Sequence, residues 1–289
     1  MKKLFSLTLV AAMVIGFASC KKSPSGDTGL SPFNTSSNNT TTPVVDPLAQ
    51  VGAVPTDFTH KVLVEEFTGE WCGFCPDGGL ILDGIVSGSG GKIYGAAIHD
   101  KDWLVIDPFY TQIQALMPNT YGFPGGTANR RPYNSENIFS RGDWGTAANN
   151  ILAEPAECGL AMVTKEKNDM LDVQVFMGYN AKVNKSTKIT LYLIEDAITP
   201  INQSNAPAGY LHEHVVRACF TSTVGDDVTL TDAKKYTIKD FKGLDIAGLY
   251  KDKANLHVLA FVNVNGATEM NHEILNVQQA GLNEVKKWD

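Results

Sequence analysis

Only five cysteines occur in 289 residues, and just two of them, Cys72 and Cys75, are close together in sequence. With no second pair of ligands nearby, this CxxC does not read as half of a tetrahedral zinc site. Basic clusters are also missing. The formal net charge is −7, and an acidic chain without a Lys/Arg patch has no electrostatic footprint for nucleic acid. Beyond the N-terminus no apolar run approaches membrane length, so no internal transmembrane helix is expected. There is no internal repeat. The balance of 43% hydrophobic and 19% charged residues is that of ordinary globular domains, and the length allows two of them plus a leader.

The N-terminal stretch has Lys2-Lys3, an apolar run from Leu4 to Phe17, and the small residues Ala18-Ser19 before Cys20. Residues 1–19 therefore read as a secretory signal peptide. Small residues followed by cysteine resemble the lipobox of bacterial lipoproteins, which implies cleavage before Cys20 and lipidation there, with several acyl chains anchoring the chain stably. Lys21 follows where an inner-membrane lipoprotein would resemble the Asp type, so the expected location is the outer membrane. The acidic run associated with surface display is absent, and the expected orientation faces the periplasm. Residues 20–56 are rich in Ser, Thr, Asn, Pro and Gly, as in Asn34-Thr35-Ser36-Ser37-Asn38-Asn39, and read as a flexible tether.

The stretch Val62–Pro76, VLVEEFTGEWCGFCP, carries the chemistry. Val62-Leu63-Val64 reads as a buried strand running through a turn into Trp71-Cys72-Gly73-Phe74-Cys75, expected in the first turn of a helix. Unpaired N–H groups and the positive end of the helix dipole favour a thiolate there, and only the thiolate attacks in disulfide exchange. The bland alternative is a structural short-loop disulfide. A strand delivering CxxC points instead to a redox pair.

Glu66 to Cys75 resembles the active-site segment of thioredoxin-like proteins, and the chain as a whole resembles a lipoprotein group of the Bacteroidetes, the outer membrane protein 28 family. The resemblance implies a thioredoxin-like α/β domain over 57–154. Cys72, at the helix start, would be the nucleophile and Cys75 the resolving thiol. Glu66 stands in the place of a buried acid, and its carboxyl would take the proton from Cys75. Glu65 points the other way on the strand and is assigned a structural role. Trp71, Gly73 and Phe74 would meet the substrate. Pro124 stands where the family carries a cis-proline, and the backbone of Phe123 would offer hydrogen bonds to an extended substrate. The remaining elements expected are a helix after Pro76 to about Ser87, a strand over Lys92–Ile98, a helix over Pro108–Met117, a strand over Thr127–Arg131 and a helix over Trp144–Leu152. Gly78, Gly79 and Gly84 are poor helix formers, so packing must hold the first helix.

Pro155 marks the expected boundary to a second domain, an all-β antiparallel sandwich over 155–289. Seven runs support it: Gly159–Thr164, Leu171–Gly178, Lys188–Glu195, His212–Thr221, Lys235–Lys239, Leu256–Val264 and Glu273–Gln278. His212 and His214 would share a strand face, with His257 or His272 as a possible third metal ligand, although packed histidines are the better expectation. Cys158 and Cys219 could form a bridge, but strand parity does not favour it. The leading expectation is a lipid-anchored envelope thiol–disulfide oxidoreductase, needing no metal or organic cofactor. Its partners would be cysteines of exported proteins and a thiol–disulfide redox partner. The rival is a non-catalytic binding lipoprotein whose β domain holds a partner and whose CxxC is a staple.

Overall fold

The apolar run before the CxxC forms strand β1, Val62–Thr68, which is buried at every residue despite carrying two glutamates. The computed structural model describes residues 46–115, 122–179, 183, 185–228, 235–266 and 272–289. The expected signal peptide, Cys20, most of the tether, and the end of the helix expected over Pro108–Met117 lie outside the described residues. After β1 come helix α1 (Cys75–Gly88), β2 (Ile93–His99), α2 (Phe109–Ala115), β3 (Gly125–Ala128), β4 (Phe139–Ser140) and α3 (Trp144–Leu152). β1 pairs parallel with β2 across the α1 crossover and antiparallel with β3. Apart from the short β4, this is the order expected for 57–154.

The remaining strands are β5 (Cys158–Lys167), β6 (Met170–Tyr179), β7 (Thr187–Glu195), β8 (Val215–Cys219), β9 (Asp226–Val228), β10 (Tyr236–Asp245), β11 (Leu256–Val264), β12 (Ile274–Gly281) and β13 (Val285–Lys286). Here the structure corrects the sequence reading, because the sheets do not divide at 154/155. β8 pairs parallel with β2 at Ala97 and Val215, and the Ala97 amide donates to the His214 carbonyl at 2.7 Å. One nine-stranded mixed sheet results, ordered β12-β11-β7-β8-β2-β1-β3-β4 with β9 on β7. Among the described residues, β10-β6-β5-β13 forms a separate, four-stranded sheet. The β-rich half is therefore shared between two sheets rather than standing apart, and residues 45–289 form one compact unit.

Strand alternation explains the two faces of the large sheet. Leu63 and Phe67 join Tyr192, Ile194, Phe261 and the α2 residues Phe109 and Ile113 in one cluster. Val62 and Val64 point the other way, to Leu82 of α1 and to Trp144, Ala148 and Ile151 of α3. Leu191, Leu193, Val258 and Ala260 meet Leu160, Met162, Val173 and Val175 of the small sheet. Each fully buried Leu, Ile or Phe contributes about 1.5–3 kcal/mol. The tether ends earlier than expected: Leu48 and Val51 pack with Ala161, Val163, Phe176 and Trp288, and the Trp288 indole donates to the Gly52 carbonyl at 3.0 Å. A few apolar residues, Val54 among them, dock a stretch whose polar composition hid them.

Glu65 is fully buried and compensated. Arg130 donates to its two oxygens at 2.7 and 2.8 Å, and the Tyr192 hydroxyl donates at 3.2 Å. The Arg130 guanidinium lies 5.1 Å from the centre of the Phe261 ring. This matches the structural role read for Glu65. Arg130→Met would leave a buried carboxylate without its cation and should cost about 3–5 kcal/mol in urea unfolding, whereas adding Glu65→Leu should recover most of the loss. Equal stability of the single and double variants would show that the ion pair is not what compensates Glu65.

Candidate active site

β1 ends at Thr68, and the chain turns so that the Cys72 amide donates to the Gly69 carbonyl at 3.0 Å. The Cys75 amide donates to the Cys72 carbonyl at 3.3 Å, and Cys72 and Cys75 are joined in a disulfide. α1 begins at Cys75, with Pro76 in its first turn, where a missing N–H costs little. Cys72 thus lies in the turn before the helix rather than within its first turn, a correction to the expected placement. Cys72 is 5% and Cys75 0% exposed, while the flanking Trp71 and Phe74 are 49% and 70% exposed. The sulfurs are covered and the aromatics beside them face solvent.

The Phe123–Pro124 peptide is cis, as the resemblance implied; so is Asp107–Pro108, which the sequence reading did not anticipate. The rings of Trp71 and Phe123 lie 5.0 Å apart, joining the CxxC turn to the proline loop. Gly78 explains how the loop seats against α1. A Cβ there would lie 2.6 Å from Pro124 Cγ and 2.7 Å from Glu66 Oε1, so only glycine admits both neighbours. Gly79 does the same for Tyr210, whose hydroxyl would be 2.8 Å from an added Cβ. Burial pushes the Glu66 carboxyl up to about 8, against a smaller lowering by Thr68, and its Oε1 has no hydrogen-bond partner among the described residues. It is a protonated acid at neutral pH, held on β1 against Gly78, one helical turn along α1 from Cys75.

A strap over the site, residues 199–211 between β7 and β8, escaped the sequence reading. Reciprocal backbone bonds between Ile198 and His212, at 3.0 and 2.8 Å, close its base. The Glu70 carboxylate accepts from the amides of Ile201 at 2.8 Å and Asn202 at 3.0 Å, and from the Trp103 indole at 3.0 Å. The Glu70 carbonyl accepts from the Ser204 amide at 2.7 Å. The Gln203 and Asn205 side-chain amides then donate to the carbonyls of Cys72 at 3.0 Å and Gly73 at 3.4 Å. Burial works to raise Glu70, but the bonds from Trp103, Ile201 and Asn202 outweigh it and hold the carboxyl below its usual range. Nothing in a run such as TPINQSNAPAG announces what its polar groups will bind.

The histidines are placed otherwise than the sequence suggested. β8 starts only at Val215, and His214 has a positive φ of 59°, so His212 and His214 do not share a strand face. His212 Nε2 lies 3.3 Å from Glu70 Oε1, and burial, helped by His99, pushes its imidazole down to about 4. The His99 and His212 rings meet edge to face at 4.9 Å, and His99 Nδ1 is 2.7 Å from Asp102 Oδ2. His214 turns instead to Asp196 at 3.3 Å, as does His257 at 3.0 Å. Cys158 and Cys219 are free thiols, on the small and large sheets respectively, with Cys158 pushed up to about 12 by burial.

The Glu66 environment makes a signed prediction. In the fold the carboxyl stays protonated up to about 8, whereas in the unfolded chain it ionises from its ordinary value of 4.5. Between those values the folded state holds the extra proton, so rising pH costs about 1.4 kcal/mol of stability per unit. Glu66→Gln removes this term. Its stability relative to the native chain should therefore grow steadily from pH 5 to 8 in urea titrations, and a flat difference would refute the assignment.

The fold has solved relatives. HBP35 of Porphyromonas gingivalis is similar with a TM-score of 0.66 and 24% identity, covering 80% of this chain and 77% of that one. Protein AGR_C_4864 from Agrobacterium tumefaciens is similar with a TM-score of 0.55 and 16% identity, covering 78% and 96%. Both are likenesses of fold. No curated protein matches the chain. The family described as outer membrane protein Omp28 matches residues 114–286, a majority of the chain that takes in the cis-proline loop and the strap, and the chain belongs to that family.

Proposed function

We propose that this Omp28-family protein is a thiol–disulfide oxidoreductase of the cell envelope, built on a thioredoxin-like arrangement and anchored in the outer membrane through lipidated Cys20, facing the periplasm. The observation that carries the reading is the convergence on α1 of three features: the Cys72–Cys75 disulfide, cis-Pro124, and a carboxyl kept protonated by burial, Glu66. A structural staple needs neither a protonated acid nor an aromatic rim.

The substrates are disulfides of exported proteins. The Cys72 thiolate attacks one substrate sulfur. A Cys72–substrate S–S bond forms as the substrate's own bond breaks, and the departing sulfur keeps the electron pair and picks up a proton. Cys75 then gives its proton to the carboxylate fraction of Glu66 and attacks Cys72 Sγ, closing the Cys72–Cys75 bond and releasing the second substrate thiolate. The substrate gains two electrons, the CxxC pair loses two, and a redox partner restores it; run backwards, the same steps oxidise a dithiol. Titration near neutrality lets Glu66 both take and return that proton. Trp71, Gly73, Phe74 and the Phe123 backbone would contact the substrate.

One pair of observations favours a second reading, a binding lipoprotein with a structural CxxC. Both sulfurs are covered, and the family match begins only after them. Equilibrating the full chain against glutathione separates the two. A reduction potential between about −270 and −120 mV supports a working couple, whereas a bond still oxidised well below about −300 mV behaves as a staple. Cys72→Ser should abolish exchange with a model disulfide, and full activity in that variant would end the proposed mechanism.

A further inference from the structure

We propose that Gln203 is a positioning residue for Cys72: by bonding the Cys72 carbonyl it frees the Cys75 amide to hold the Cys72 thiolate. The inference rests on the oxidoreductase reading and extends it to a residue 131 positions away.

The Cys72 carbonyl accepts two bonds, a long one from the Cys75 amide at 3.3 Å and a shorter one from Gln203 Nε2 at 3.0 Å. When the disulfide is reduced, the thiolate needs donors from the adjacent helix start. Pro76 has no N–H, which makes the Cys75 amide the donor that the turn already directs toward Cys72. If that amide were the carbonyl's only partner, moving it to the sulfur would strand a covered carbonyl, at a cost that opposes thiolate formation. Gln203 removes the conflict, because the carbonyl keeps a partner while the amide turns.

The strap holds Gln203 from both sides. The Glu70 carboxylate bonds the amides of Ile201 and Asn202 just before it, and the Glu70 carbonyl bonds the amide of Ser204 just after it. Its Nε2 also donates to the Ser204 carbonyl at 3.1 Å, while Oε1 is buried without a partner among the described residues. An amide that leaves its acceptor unpaired is placed there for its donor. The side chain has no part in the core, so its replacement tests the bond rather than the fold.

The test is the pH dependence of Cys72 alkylation in the reduced full-length protein, localised by mass spectrometry, with Gln203→Met as the variant of similar length lacking the donor. Gln203→Leu serves as a second variant. In the native chain the midpoint should lie below the ordinary thiol value of about 8.5. Gln203→Met should raise it by about one unit, slowing alkylation roughly tenfold at a pH below both midpoints. A merely structural role would move the urea midpoint and leave the titration alone. If native exchange is intact but both folded variants titrate as the native does, the role of Gln203 is overturned and the oxidoreductase reading stands. If the native chain neither exchanges nor titrates low, that reading falls first.

Discussion

Burial of both faces of β1 is the constraint on which the rest of this structure depends. The strand carries adjacent glutamates, and alternation sends one carboxyl to each side of the sheet, where neither reaches water. A buried charge must be paired or neutralised. Glu65 is paired with Arg130, which follows β3, and with Tyr192 of β7. Glu66 forms no ion pair among the described residues, and burial outweighs the Thr68 hydrogen bond and the charge of Arg141, keeping it protonated up to about 8. The same two-residue sequence thus yields a structural ion pair on one face and a titratable acid on the other. The pairing also ties the halves together, since Tyr192 lies beyond the boundary that Pro155 suggested.

The second dependence runs from the C-terminal half back to the disulfide. β8 extends the sheet alongside β2, and the strap leading into β8 falls across the CxxC turn. Glu70 organises that contact. Its carboxylate receives two consecutive strap amides and an indole, and its carbonyl receives a third amide. Backbone donors that turn inward must find acceptors, and here one residue, Glu70, supplies them. The turn that carries the disulfide is therefore shaped by residues more than a hundred positions later, inside the segment that the family matches.

Much of this was legible in advance. VLVEEFT followed by CGFCP reads as a strand delivering CxxC to a helix, because apolar β-branched runs and a proline after the second cysteine leave few alternatives. The helix Trp144–Leu152 and the strand Leu256–Val264 were read to the residue, each bounded by clear changes of pattern. The strap was not legible, because a Pro/Asn/Ser/Gly run announces a loop and is silent about what the loop touches. The His212/His214 spacing misled, since the alternation rule holds only within a strand and β8 begins one residue later. Leu48 and Val51 were hidden for a related reason: a few apolar residues hardly alter the average of a polar segment, yet they pack against the small sheet.

By itself the sequence determined the local elements and the chemistry they carry: a CxxC at the entry to α1 and two carboxyls on opposite faces of β1, while the proline opposite the thiols was implied only by the family resemblance. The first two follow from periodicity, turn residues and motif spacing, which act over a few residues. Only the tertiary structure decided that β8 joins β2, that Arg130 and Tyr192 compensate Glu65 while burial dominates at Glu66, and that Gln203 reaches Cys72. Each of these depends on which distant strand edge or loop fills a given space. Hydrophobic alternation marks a face for burial without naming its partner.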